Sequence, residues 1–204
     1  MTMTLAPHSL THSHSHPQIK KLIQGNISNQ NYFREMSCVP RLAPLFTLSG
    51  SDLWLLTEKK QEILIHGLQT VSILVTGTNP SLIKNQEAMK QGGVLDRVLQ
   101  LALNKLNCPP VRTQALRTLG DLVRNCASNR NVLGSATIEV DDHARGEKVR
   151  EPALQRLLTV TLNSHHFSER IAAVHTFKVL TRSRTPSPAS NWSHLAACIC
   201  DSAS

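Results

Sequence analysis

Leu64, Leu68, Val71 and Val75 fall at i, i+4, i+7 and i+11, the spacing that gathers apolar side chains on one face of an α-helix. Val111, Ala115, Leu119, Leu122 and Cys126 make a second stripe, and Ile171, Val174, Phe177 and Leu180 a third. Two intervening segments, 94–106 and 153–162, are apolar almost throughout. They read as helices packed on more than one side. Asn79-Pro80, Gly92-Gly93 and Cys108-Pro109-Pro110 punctuate the pattern as breakers. Pro109 and Pro110 suit the first turn of the helix that runs on from Val111, where a missing N–H costs nothing.

The pattern repeats. Ser28-Asn29-Gln30-Asn31-Tyr32-Phe33 precedes Val39-Pro40-Arg41-Leu42. Lys84-Asn85-Gln86-Glu87-Ala88-Met89 precedes Val94-Leu95-Asp96-Arg97-Val98-Leu99. Ser128-Asn129-Arg130-Asn131-Val132-Leu133 precedes Ala153-Leu154-Gln155-Arg156-Leu157-Leu158. Each copy reads as a short polar-capped helical turn followed by a long apolar helix. Asn29 to Arg41 and Asn85 to Arg97 are both 12 residues, whereas Asn129 to Arg156 is 27. The surplus is placed in 134–148, rich in Gly, Asp and Glu and without helical periodicity, and is predicted to be an inserted surface loop. The Asn-to-Asn spacings are 56 and 44 residues. The second lies in the range of about 40–47 typical of armadillo and HEAT repeats. The first is stretched by Gly50–Leu56.

Composition agrees. Hydrophobic residues make up 40% of the 204, and aromatics only 3%. Aliphatic volume of this kind suits stacked helices better than a β-sandwich. The predicted fold is all-α, an armadillo-like α-solenoid: a right-handed superhelix of about three helical repeats over 18–181. Low-complexity residues 1–17 and 182–204 flank it, both of disordered composition. A repeat helix cannot bury its apolar face alone, and neither end shows a polar capping repeat, so a piece of a longer solenoid is expected. The net charge of +8 favours acidic partners without choosing among protein, membrane and nucleic acid. Cysteines 38, 108, 126, 198 and 200 are odd in number and irregularly spaced, and residues 1–17 lack a secretory signal pattern. A reducing, cytoplasmic setting is the simplest expectation. No apolar run approaches 18 residues, so any membrane association is expected to be peripheral.

Ser28 to Glu35, Gln69-Thr70-Val71 with Thr78-Asn79-Pro80, and Asn85-Gln86 with Gly93-Val94-Leu95 form an ordered set. Arg124-Asn125-Cys126 with Asn129, and Glu151-Pro152-Ala153-Leu154, complete it. Over roughly 18–181 this set resembles the armadillo-like head of the general vesicular transport factor family. The resemblance implies a non-catalytic tether, peripheral on Golgi membranes, that docks transport vesicles before fusion. It also implies binding of a Rab-type small GTPase and other vesicle-docking proteins. The family carries a long coiled coil and an acidic tail. This sequence has no sustained heptad pattern and no acidic run, and it lacks a match to the first repeats of the head. Dimerisation and golgin binding through those parts are not expected of it.

Arg41, Arg97 and Arg156 hold the same place in the three copies. If they lie on the last helix of each repeat, they form a basic ladder along the groove, able to pair with carboxylates of a partner. The alternative is that each is solvated or pairs with a neighbouring repeat. Asn29, Asn85 and Asn129 read as structural repeat positions, suited to caps and inter-repeat hydrogen bonds. His12, His14 and His16 alternate with Ser and Thr, a chance enrichment rather than a chelate. Cys198-x-Cys200 is too closely spaced for a zinc knuckle, and His165-His166 has no ligand partner in reach, so no metal and no cofactor are assigned. The sequence contains no GxSxG, GxxxxGK[ST], HExxH or GxGxxG, and no catalytic residue or small-molecule substrate is assigned. Thr185-Pro186 and Ser187-Pro188 are candidate phosphorylation sites in a basic tail.

Two rival functions are weaker. An import-receptor-like adaptor would need a Trp and Asn ladder, and Trp54 and Trp192 both lie outside the repeat register. Nucleic-acid binding would need clustered basic residues with aromatics, and here the basic residues are scattered.

Overall fold

A computed structural model describes residues 15–48, 56–104, 108–142 and 147–182. His12, His14, Cys198, Cys200 and the Thr185–Pro188 stretch lie outside them, as do Trp54 and Trp192.

The repeating unit has three helices rather than two. In the first repeat, α2 (Ile27–Glu35) leads to a 3-10 helix (Pro40–Phe46) and then to α3 (Glu58–Val75). The second comprises α4 (Leu82–Gln91), α5 (Val94–Leu103) and α6 (Pro109–Val123). The third comprises α7 (Ala127–Ser135), α8 (Ala153–Asn163) and α9 (Phe167–Thr181). Before them stands α1 (Ser15–Ile23), which packs on α3 and begins inside the 1–17 tract. The third helices form one continuous row, α3 against α6 and α6 against α9, and these are among the largest contacts in the molecule. The result is an armadillo-like α-solenoid.

Local chemistry sets these boundaries. Gly93 at φ +74° adopts the left-handed conformation between α4 and α5 that a side chain would disfavour. Pro109 starts α6, as its missing N–H allows. The middle element of the first repeat is a seven-residue 3-10 helix, where the sequence pattern suggests a long helix. Pro44 lies inside it, with no N–H to give and a ring that crowds the preceding turn.

The predicted insertion is also more ordered than a loop. α7 continues to Ser135, and an antiparallel hairpin follows: β1 (Thr137–Asp142) pairs with β2 (Glu147–Pro152), with Ile138 opposite Glu151 and Glu139 opposite Arg150. Ile138 is buried against the helices, while the Glu139–Arg150 pair is exposed. The alternation Thr137-Ile138-Glu139-Val140 is a period-2 signal too short to outweigh the Gly- and charge-rich surroundings.

One core runs through the array. Leu64, Leu68 and Val71 of α3, Val94 and Val98 of α5, Val111, Ala115 and Leu119 of α6, and Leu157 of α8 are fully buried. The third predicted stripe is split: Leu180 is buried and Phe177 packs against the core, while Ile171 and Val174 face outward. α9 buries Ala172, Ala173, Thr176 and Leu180, and leaves Ile171 49% and Val174 50% exposed. Small residues face α6 because α9 approaches α6 closely, and the larger apolar side chains are displaced to the outer face.

Candidate protein-interaction surface

The three candidate arginines occupy the middle elements, not the last helix of each repeat. Arg41 is exposed on the 3-10 helix. Arg97 is half-buried on α5 and donates to Gln100 Oε1 at 3.2 Å. Arg156 is buried on α8, where its Nε donates to the Leu103 carbonyl at 3.0 Å and its guanidinium lies 3.9 Å from Glu151. Burial pushes the Arg156 pKa down; Glu151 opposes that shift, and Arg112 adds to it. Leu103 ends α5, so Arg156 satisfies a carbonyl that the helix itself cannot. The ladder therefore does not form as one surface: its third rung ties α8 to the end of α5. The three arginines share the middle element of each repeat, which the sequence pattern took for the last helix.

Asn29, Asn85 and Asn129 share one bonding scheme. Asn29 Nδ2 donates to Leu22 O at 2.7 Å, Asn85 Nδ2 to Leu74 O at 2.8 Å, and Asn129 Nδ2 to Leu122 O at 2.8 Å. Each acceptor lies in the last turn of the preceding helix, where carbonyls lack an intrahelical partner. The same residues cross between repeats. Arg34 of the first repeat donates to Asn85 Oδ1 at 2.6 Å, and Asn129 of the third donates to Gln86 O at 3.2 Å. Asn79 adds a bond to Gln30 Oε1 at 2.9 Å, and Gln86 Nε2 reaches the carbonyls of Asp121 and Arg124 at 3.0 and 2.8 Å. These side chains form a polar seam along the short first helices, in which the buried Asn129 Oδ1 is left without a hydrogen-bond partner.

A second repeated residue is not evident from the Asn and Arg copies. Thr118 of α6 lies 3.3 Å from Leu68 O of α3, and Thr176 of α9 lies 2.8 Å from Leu116 O of α6. Ser72 of α3 contacts Thr118, and Gly120 of α6 lies against Thr176. Leu68, Leu116 and Val174 are thus equivalent positions, and so are Thr70, Thr118 and Thr176. The sequence signal is an apolar residue, any residue, Thr, and an apolar residue: Leu68-x-Thr70-Val71, Leu116-x-Thr118-Leu119 and Val174-x-Thr176-Phe177.

The surface that remains open is the outward side of the third-helix row. Arg117 on α6 and Arg124 at its C-terminal cap are exposed, and Arg124 stands 3.4 Å from His175 Nε2 of α9. Asp121, paired with Arg124 at 3.2 Å, is the acidic group among them. Burial raises its pKa, against the opposing influence of Ser72, Arg124 and His175. An open cleft of about 570 Å³ adjoins this cluster, lined by Thr76, Pro80, Ile83, Gln86, Arg124 and Asn125 among others. Ile83 is 52% exposed there. The cleft offers a guanidinium, amides and an apolar wall. Among the described residues no group of three or more His, Cys, Asp or Glu converges to hold a metal, and no helix is long and apolar enough to cross a membrane.

No family model matches the chain. General vesicular transport factor p115 of Homo sapiens is 25% identical over 162 residues, which is 78% of this chain and 16% of that protein. Golgin candidate 6 of Arabidopsis thaliana is 28% identical over 137 residues, 63% of this chain and 14% of its own length. A solved structure, Uso1-2, superposes with a TM-score of 0.73 at 25% identity, covering 83% of this chain and 27% of that one. The chain is similar to the general vesicular transport factors. Its armadillo-like array matches a limited part of them: it spans about a sixth of the curated relatives and about a quarter of the solved Uso1 chains.

Proposed function

We propose that this relative of the vesicular transport factors is a non-catalytic scaffold, a head fragment that works in docking vesicles at the Golgi. The observation that supports this is the third-helix row. It holds exposed Arg117 and Arg124 on a stacked, hydrogen-bonded framework, next to an open cleft with an apolar wall. A rigid frame presents such groups without the ordering cost that a flexible segment pays on binding. Exposed guanidinium groups favour an acidic protein partner through paired hydrogen bonds to carboxylates. The partner this reading names is a Rab-type small GTPase, with other vesicle-docking proteins, and the chain associates peripherally with Golgi membrane from the cytoplasmic side.

The test is co-sedimentation with Golgi-enriched membranes, with and without a GTP-locked Rab-type GTPase. Wild type is compared with Arg117→Glu/Arg124→Glu, and with Arg41→Glu/Arg97→Glu as the middle-helix control. GTPase-dependent pelleting that the third-helix variant loses and the control keeps is the expected result. Loss in the control alone would return the binding surface to the middle helices. A folded wild-type chain that never pellets would remove the tethering role.

A further inference from the structure

The third-helix row is open at both ends, and the two ends match. α1 heads the row. Leu22 O accepts from Asn29 as Leu122 O accepts from Asn129, so α1 corresponds to the C-terminal half of α6. Lys20 of α1 reaches Gln69 of α3 at 2.6 Å, where its counterpart Gly120 lies against His175 of α9. Thr176 and Leu180, one helical turn apart, lie on the side of α9 that meets the helix before it. That side is uncovered on α1. Leu122 and Leu180 are 0% and 6% exposed, but Leu22 in the same place is 63% exposed. Ile19 is also exposed, where Leu119 is buried and Phe177 packs against the core. α2 is open on the same side. Its Tyr32 is exposed where Ala88 and Val132 pack against the core. Its Met36 is exposed where Gly92 lies against Pro40 of the preceding repeat and Ala136 packs against the core.

α9 is open on the opposite side. Leu68 of α3 and Leu116 of α6 are fully buried, and their carbonyls meet Thr118 and Thr176 of the next helix. Val174 holds that place on α9 and is half exposed. Ile171, in the place of Thr113, is half exposed as well, and Phe167 one turn earlier is more so. We propose that the two open faces bind each other between copies of this chain. α1 and α2 of one copy stack on α9 of another and continue the row in the register that α6 and α9 already use. Lys178 does not block this contact. It holds the place of Lys20, and α1 packs on α3 with a lysine there, its stem running to His66 and Gln69. The contact joins two different surfaces and repeats the screw of the solenoid, so it adds copies end to end rather than closing a symmetric pair. It does not use the Arg117 and Arg124 surface, and stands or falls apart from the tethering role.

The experiment is sedimentation velocity of the full chain over a range of concentrations. It is run at physiological ionic strength, where the repulsion from the net charge of +8 is screened beyond about 8 Å. Wild type should gain mass with concentration and pass beyond twice the monomer mass. Leu22→Asp/Tyr32→Asp spoils only the first face, and Ile171→Asp/Val174→Asp only the second. Each variant alone should stay monomeric while circular dichroism keeps its helical signal. Mixed in equal amounts, they should form a one-to-one dimer and stop there, since each supplies the face that the other has lost. That recovery also shows that both variants are folded. A wild-type chain that is monomeric at every concentration would overturn the proposal. So would a Leu22→Asp/Tyr32→Asp variant that still dimerises by itself, because α9 would then be pairing with α9 of a second copy. A mixture that stays monomeric would overturn it too.

Discussion

Thr176 of α9 sits with its hydroxyl 2.8 Å from the carbonyl of Leu116 on α6, buried completely between the two helices. Thr118 makes the equivalent approach to Leu68 at 3.3 Å one repeat earlier. The hydroxyl joins two helix backbones across a close-packed seam where longer side chains would hold them apart. Thr176→Val keeps the shape and removes the bond. It should lower stability by about 1 kcal/mol, the usual net worth of a buried neutral hydrogen bond. Thr118→Val should cost less, given its longer contact. Urea melts of the two variants with unchanged slopes check the ranking.

Arg41 and Arg156 are copies of one motif in two environments, and substitution should separate them. Arg156→Ala strips the partner from the Leu103 carbonyl and leaves Glu151 without its arginine. A loss of about 1–3 kcal/mol is expected from that unsatisfied polar group. Arg41→Ala, on an exposed side chain, should stay within about 0.5 kcal/mol. Equal effects in thermal melts would mean that Arg156 is not the structural tie described above.

The armadillo-like class was legible because the Asn copies carry a physical requirement: each must reach a spare carbonyl of the preceding helix. The buried faces of α3 and α6 were legible for the same kind of reason, since Leu64, Leu68, Val71, Val111, Ala115 and Leu119 follow helical spacing into the core. α9 misleads because its inward face is Ala172, Ala173 and Thr176, so hydrophobic size points away from α6. The helix count per repeat fell short because the Asn and Arg copies end in the middle element, which leaves α3, α6 and α9 outside the motif. The third-helix surface at Arg117 and Arg124 needed the array itself, because Arg124 meets His175 of α9 only after stacking.

Glu169 is completely buried in the first turn of α9, paired with Arg112 of α6 and accepting from Ser164 Oγ at 2.6 Å. Its position near the helix start also places negative charge where the backbone N–H groups favour it. Glu169→Ala leaves Arg112 without its carboxylate in a largely buried site. Removing one partner of such a pair costs about 3–5 kcal/mol. Arg112→Met/Glu169→Leu removes both charges and should recover much of that loss. A double variant no more stable than Glu169→Ala would show that packing at Glu169, rather than the unpaired charge, sets the cost.

Asp121 offers a pH test with a definite sign. Burial raises its folded-state pKa above the ordinary carboxylate value near 3.8, so folding disfavours the charged form. The folded protein holds the proton more tightly than the unfolded chain does. The group's unfavourable contribution is therefore present in full at neutral pH. It shrinks as pH falls through the folded pKa, and it is gone below the unfolded value. Asp121→Asn should accordingly be more stable than wild type at pH 7, with the advantage fading as acid protonates the native carboxyl. The Arg124 contact at 3.2 Å works against the gain, since it favours the charged carboxylate. High salt screens that partly exposed pair and should enlarge the difference between the two proteins. Paired melts of Asp121→Asn and wild type from pH 7 to pH 3.5 read this directly. A variant less stable at pH 7, with the deficit closing in acid, would mean that the Arg124 and Ser72 contacts outweigh the cost of burying the charge.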